Sequence, residues 1–349
     1  MSALHRPSHI RRRLHRLRRA AGAALAWIGV AIALPAAAAA QAMAAATAGP
    51  APQPRYFDVP ADSGAHDVAP DPNADGPIYF TEQRTGRLGI LHPDSGRIEQ
   101  VDLGQRSAPH GVIIGPGGGI WITDGGQNAI VRFDPVTRAV RSWGLPEDTP
   151  AANLNTAAFD SNGRIWFTGQ SGYYGRLDPD SGQMQVWKAP RGSGPYGITA
   201  TPQGAIYFAS LAGNYIARID PDSGEATVIE PPTPKQGARR VAADQQGRIW
   251  VSYWNTGQLG LFDPATNSWR EWKLPGKARA YGICLDHQGS VWLSEWSSNA
   301  LVRFDPRTET FAAFPSDRHD AFVRQLAARA GQIWGAESGH DRLVMLPTQ

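Results

Sequence analysis

Two kinds of position in this chain hold side chains able to do chemistry, and each recurs at a fixed place in a repeated phrase. The first opens a short apolar run and holds His66, His110, Asn155, Tyr196, Arg239, Tyr281 and Arg324. The second lies three residues beyond the aromatic of an Ile/Val-Trp/Tyr pair and holds Glu82, Asp124, Gly169, Ser210, Tyr253, Glu295 and Glu337. Histidine beside carboxylate offers a base near neutral pH, or a nitrogen and oxygen set for a divalent metal. His66, His110, Asp124 and Glu337 are therefore candidate catalytic groups, and Glu82 and Asp124 candidate metal ligands. Arg239 and Arg324 suit an anionic group. Tyr196, Tyr253 and Tyr281, with Trp254 and Trp296, would form an aromatic wall on the opposite arc for an apolar or ring-containing ligand. The opposing expectation is a wet, polar channel that does no chemistry.

What could bring these residues together is the repeat itself. Its aromatic falls at Tyr79, Trp121, Trp166, Tyr207, Trp250, Trp292 and Trp334, with spacings of 42, 45, 41, 43, 42 and 42. Seven copies with a period in the low forties mark a repeat array rather than independent domains. Each copy reads as four short strands rich in β-branched and aromatic residues, with Asp-Pro-x-Ser/Thr-Gly-like segments making the tight turn between the third and fourth. No helical period stands out. Four strands repeated seven times predict an all-β, seven-bladed β-propeller. The last copy stops after three strands, while "PRYFDVP" (Pro54–Pro60) precedes the first copy as a spare fourth. Residues 55–59 are expected to pair with 342–346, complete the last blade and close the ring. The first strand of a blade lines the central channel, so both residue sets are expected at one mouth. Blades seven and one are neighbours there, which groups Arg324, Glu337, His66, Glu82, His110 and Asp124 on one arc.

The region before the repeats differs in character. Residues 6–19 are strongly basic, an Ala-rich apolar run follows, and Ala-x-Ala sites lie near residues 38–42. That is the layout of a secretory signal peptide. The expected organisation is a signal peptide at 1–42, a linker at 43–54 and the propeller at 55–349, in a periplasmic or secreted monomer with no lasting membrane anchor. The full chain carries +3, but seven of its 34 basic residues precede residue 41, where no acidic residue lies. The remainder holds 27 basic against 31 acidic residues, a balance of −4. A nucleic-acid partner is not implied; the expected partner is a small molecule or a periplasmic protein. The one cysteine, Cys284, lies in an apolar strand and reads as a core residue. His92, His287, His319 and His340 fall in turns. No Gly-x-Ser-x-Gly elbow, phosphate loop or Cys/His metal motif is present.

The unit "PHGVIIGPGGGIWITDGGQNAIVRFDP" (Pro109–Pro135) resembles the repeat of the streptogramin B lyases, the virginiamycin B lyase family, and "GPYGITATPQGAIYF" and "RAYGICLDHQGSVWLSEW" fit the same template. The resemblance implies a seven-bladed propeller that opens a cyclic depsipeptide by elimination. A base takes the α-proton beside the ester, and a magnesium ion steadies the developing charge. It also implies a functional set: a His opening strand one of the sixth unit, Glu-Pro-His opening the seventh, and a Glu ending strand two of the seventh. Here those positions hold Tyr281, Phe322, Arg324 and Glu337, so streptogramin lyase activity is expected to be weak or absent. Two other readings stay open: a non-catalytic ligand- or protein-binding propeller, and a lactonase-type propeller with one divalent ion on Glu82, Asn155 and Asp124.

Overall fold

The computed structural model describes residues 52–276 and 278–348; the expected signal peptide and most of the linker lie outside them. Seven four-stranded antiparallel sheets follow one another around a ring. The innermost strands are β2 (Ala65–Pro70), β6 (Pro109–Ile114), β10 (Leu154–Phe159), β14 (Pro195–Ala200), β18 (Ala238–Ala243), β22 (Ala280–Leu285) and β26 (Val323–Arg329). Each lies against the innermost strand of the next blade, and β26 lies against β2. The second strands are β3 (Ile78–Glu82), β7 (Ile120–Asp124), β11 (Ile165–Gly169), β15 (Ile206–Ser210), β19 (Ile249–Tyr253), β23 (Val291–Glu295) and β27 (Gln332–Glu337). The only helix among the described residues is one 3-10 turn at Pro116–Gly118. No described helix is long and apolar enough to cross a membrane.

The recurring aromatic explains why the blades pack. Tyr79, Trp121, Trp166, Tyr207, Trp250, Trp292 and Trp334 are all buried. Each inserts into a core it shares with the next blade: Trp121 with Leu154 and Ile165, Trp250 with Ile283 and Leu293, and Trp334 with Val68 and Phe80 of the first blade. The indole N–H needs a partner there, and the turn between strands one and two supplies it. Trp166, Trp250 and Trp292 donate to Asp160, Asp244 and Asp286 at 2.9, 3.1 and 2.8 Å.

The last sheet runs β26, β27, β28 (Arg342–Pro347) and β1 (Arg55–Asp58), with β1 outermost. β1 pairs antiparallel with β28 from Arg55 opposite Met345 to Asp58 opposite Arg342. Cys284 is a free, buried thiol in the core between β22 and the last blade, and burial pushes it up, away from thiolate.

Candidate functional site

Every blade breaks its ladder at the same place. The register between first and second strand slips between Ala65 and Val68, Pro109 and Gly111, Leu154 and Ala157, Pro195 and Ile198, Ala238 and Arg240, Ala280 and Ile283, and Val323 and Leu326. A bulge re-aims the side chain it carries. The bulged segments contain His66, His110, Asn155, Tyr196, Arg239, Tyr281 and Arg324, the first residue set read from the repeat.

A hydroxyl on strand two holds most of these bulges. Thr123 Oγ1 accepts from Gly111 N at 2.9 Å and donates to the Asn155 carbonyl of the next blade at 2.6 Å. Thr81, Ser252 and Ser294 do the same toward His110, Tyr281 and Arg324, at 2.8, 3.0 and 2.9 Å. Thr168 donates likewise to the Tyr196 carbonyl. The fourth and seventh blades have Ala209 and Ala336 in this place. The bulges they would have served hold Arg239-Arg240 and His66-Asp67.

Asp67 and Arg240, residues that repeat position did not single out, meet across the channel. The guanidinium lies 3.4 Å from the carboxylate, and both side chains are almost wholly buried. Burial alone would raise the Asp67 pKa, but Arg240 and the His66 hydrogen bond outweigh it and hold the carboxyl well below its ordinary range. Arg240 Nη1 also donates to Thr156 Oγ1 at 2.7 Å, and Thr156 donates to Asn155 Oδ1 at 2.7 Å. Asn155 Nδ2 lies 3.2 Å from His110 Nε2. An amide N–H can only donate, so His110 accepts at Nε2. Its Nδ1 is buried without a partner among the described residues. Burial, then His66, holds the His110 imidazole well below its usual pKa, as the neutral base. His66 bonds Asp67 at 2.9 Å through Nδ1, and the two imidazole rings lie 4.0 Å apart.

The opposite arc is aromatic and cationic. Tyr196 and Tyr281 hydroxyls lie 3.0 Å apart, and Arg239 Nη2 donates to Tyr196 at 2.7 Å. Arg239 lies over the rings of Tyr281, Tyr196 and Trp254 at 3.8, 4.4 and 4.5 Å. Arg324 donates to Ser338 Oγ at 2.8 Å and lies 4.9 Å over Trp296, which stacks on Tyr281 at 4.9 Å and 7°. Phe322 sits against Trp296 at 4.9 Å. Trp254, Trp296, Phe322 and Arg324 are half-buried, while Tyr281 beneath them is fully buried. Neither Arg239 nor Arg324 has a carboxylate within 4.0 Å among the described residues.

The second residue set points elsewhere. Asp124 accepts from the backbone N–H groups of Ala108, Gly126 and Gln127 at 2.9, 3.0 and 3.0 Å, and Ser107 Oγ donates to it at 2.5 Å. Glu82 accepts from Thr85 and Gln100, at 2.8 and 2.7 Å. Glu337 accepts from Ser316 at 2.8 Å and pairs with Arg342. Glu295 accepts three backbone N–H groups. Each of these carboxylates satisfies loops and strands around its own blade instead of joining the histidines on one arc. Tyr253 is likewise core, with Tyr207 and Val251. The structure therefore brings together His66, His110, Asn155, Tyr196, Arg239, Tyr281 and Arg324, adds Asp67 and Arg240, and leaves Glu82, Asp124 and Glu337 outside the cluster.

Metal donors were expected at Glu82 and Asp124, but the cluster that forms is His66, Asp67 and His110, whose ligand atoms all lie within 4.8 Å of one another. Two imidazoles suit a borderline transition metal better than Mg2+, which prefers oxygen. Arg240 already neutralises the one carboxylate, so the residues present do not fit Mg2+.

A cavity of about 1070 Å3 lies at the other end of the channel. Asp67 and Thr156 reach it from above, and Val241, Cys284, Asp244 and Asp286 line it.

The chain matches the Virginiamycin B lyase family over residues 37–303. Among solved structures, virginiamycin B lyase from Staphylococcus aureus is 21% identical, with a TM-score of 0.78 over 85% of this chain and 100% of that one. The same enzyme as a catalytically inactive variant with quinupristin gives the same figures. A streptogramin B lyase structure is 22% identical at a TM-score of 0.78, over 85% of this chain and 98% of that one. A gluconolactonase from Zymomonas mobilis is 33% identical over 105 residues, which span 27% of this chain and 28% of that relative's length.

Proposed function

The chain belongs to the virginiamycin B lyase family, and from that premise we propose that it is an exported, monomeric member whose arginine and aromatic rim binds a small or cyclic ligand bearing an anionic group. The observation that carries this reading is the pair Arg239 and Arg324. Both guanidinium groups press against aromatic faces, and neither has a carboxylate partner among the described residues. A ligand carboxylate beside a ring would satisfy the guanidinium groups and stack on Trp254 or Trp296. Export is supported by the basic segment, apolar run and Ala-x-Ala sites of residues 6–42.

Streptogramin B ring opening by the family's route is proposed to be weak or absent. Where the resemblance calls for two histidines and a glutamate, this chain has Tyr281, Arg324 and Phe322, and Glu337 is engaged by Arg342. A missing general base removes about 10²–10⁴-fold in rate. Any remaining turnover is assigned to the His66 and His110 pair, so His110→Ala should abolish it while Arg324→Ala should spare the base. Two measurements test the reading. Benzoate should change the tryptophan fluorescence of the purified protein, benzamide should not, and Arg324→Gln should weaken benzoate binding. Incubation with a streptogramin B and magnesium, followed by mass spectrometry, should show little ring-opened product. Equal affinity for benzoate and benzamide, or fast turnover that survives loss of both histidines, would overturn it.

A further inference from the structure

Tyr281 stands where the family resemblance places a histidine base, and its surroundings are unusual for a phenol. From β18, the Arg239 guanidinium lies 3.8 Å and that of Arg240 5.8 Å from its ring centre; from β26, that of Arg324 lies at 5.5 Å. Arg324 Nη1 reaches the hydroxyl at 3.5 Å, and the Tyr196 hydroxyl from β14 sits at 3.0 Å. From β2 come His66 and Asp67, and from β6 comes His110, whose ring is 6.3 Å from that of Tyr196. Trp254 and Trp296 cover the ring and carry no charge.

The charges in this cluster do not balance with neutral phenols. Three guanidinium groups face one carboxylate, Asp67, which Arg240 holds. Arginine does not shed its proton. Of the three, Arg240 is paired and Arg324 is half-buried, but Arg239 is a buried charge without a carboxylate partner among the described residues, which is unfavourable, so the cluster favours a further anion. Tyr196 accepts from Arg239 and can donate its own proton onward. Tyr281 is the acid at the end of that chain of donors.

The geometry points to Tyr281 as a resident phenolate, hydrogen-bonded by Tyr196 and Arg324, that takes up a proton when an anionic ligand lands on Arg239 and Arg324. Burial by itself would push the phenol up; His66 and the three arginines outweigh it and bring Tyr281 well below an ordinary phenol. Tyr196 moves the other way, through its own burial and the charge beside it. A carboxylate at the rim and the phenolate compete for the same guanidinium groups. Binding thus transfers one proton from solvent to the Tyr281 oxygen, and no covalent bond is made or broken. By linkage, anion affinity then rises as pH falls, by about tenfold per unit above the Tyr281 midpoint. The ligand half of this inference rests on the rim being an anion site; the phenolate half does not.

The experiment is an ultraviolet difference titration of the purified full chain, free and with benzoate. At pH 7 the folded protein should show the tyrosinate band of one residue. Denaturant at the same pH should abolish it, because an unfolded tyrosine titrates near about 10. Tyr281→Phe should lack the band, and Arg324→Gln should raise its midpoint by about one unit or more. Benzoate should bleach the band and benzamide should not. A folded protein without the band near neutral pH, or a band that survives in Tyr281→Phe, overturns the phenolate. If Tyr281→Phe does not fold, loss of the band on unfolding together with the Arg324→Gln shift decides the point. Benzoate that binds by tryptophan fluorescence but leaves the band intact overturns the coupling. Absence of benzoate binding counts against the rim as an anion site and against the coupling, while the band still reports the phenolate separately.

Discussion

At the scale of single residues, two groups set how the molecule responds to acid. Asp67 is held below the ordinary carboxylate range, so its contribution is complete above about pH 4 and disappears as pH falls below that. His110 is held below the ordinary imidazole range, so an unfolded chain takes up a proton that the native one refuses. Its effect is also a loss of stability on acidification, beginning near pH 6.5. Urea unfolding at pH 7.5, 5 and 3 should therefore give falling stability in two stages, and His110→Gln should flatten the upper one. Asp67→Asn should cost about 3–5 kcal/mol at neutral pH, because Arg240 is left buried and unpaired. Stability that is flat from pH 7.5 to 5 would contradict the neutral imidazole, and stability that is flat from pH 4 to 3 would contradict the buried pair. Repeat position did not reveal either partner of that pair. At the corresponding place other blades carry Gly111, Gly197 and Gly282, because a Cβ there would meet the neighbouring strand: on Gly111 it would fall 2.5 Å from the Asn155 carbonyl oxygen, and on Gly197 2.7 Å from the Arg240 Cα. A charged residue where others need glycine was the available signal.

At the scale of elements, the bulge and the strand-two hydroxyl act together. The bulged residues were legible because the repeat isolates one variable position per copy, and all seven lie in bulged segments. The residues three beyond the aromatic were legible as a position but not as a role. They end strand two next to a tight turn, where a carboxylate accepts nearby N–H and O–H groups, as Asp124 and Glu295 do. A short local hydrogen bond and a channel-facing ligand look alike in one dimension. The hydroxyl is the cleaner test of how blades are joined. Thr123→Ala removes the acceptor for Gly111 N–H and the donor to the Asn155 carbonyl, leaving two buried backbone groups unsatisfied. It should cost about 1–3 kcal/mol, read as a lower denaturant midpoint with the slope unchanged. Thr123→Ser keeps the hydroxyl and should recover most of that loss; a serine variant as weak as alanine would assign the effect to the lost methyl group.

At the scale of the whole molecule, the remaining question is what the strand before the first blade does for the ring. β1 belongs to the last sheet although it comes from the other end of the described chain. Phe57 stacks on Trp334 at 5.3 Å, and Trp334 reaches into the core of the first blade. Beyond β1, Val59 N–H donates to the Asp341 carbonyl at 2.9 Å, and the Asp341 side chain accepts from Asp62 and Gly64 N–H at 2.8 and 2.9 Å. Removing residues 1–60 would strip that packing and uncover the edge of β28, whose sequence RLVMLP is apolar and poorly charged. An exposed apolar edge both weakens a sheet and invites pairing with other chains. The shortened protein should melt several degrees lower and aggregate at concentrations where the longer one does not. A synthetic peptide of residues 52–60 should restore part of the lost melting temperature, because it supplies the missing strand and the Val59 N–H bond to the Asp341 carbonyl. The Phe57→Ala variant of the full chain should lie between the two, since it keeps the backbone ladder and loses only the ring on Trp334. A melting curve unchanged by the deletion would mean that three strands suffice for the last blade and that β1 is an ornament of the ring rather than its clasp.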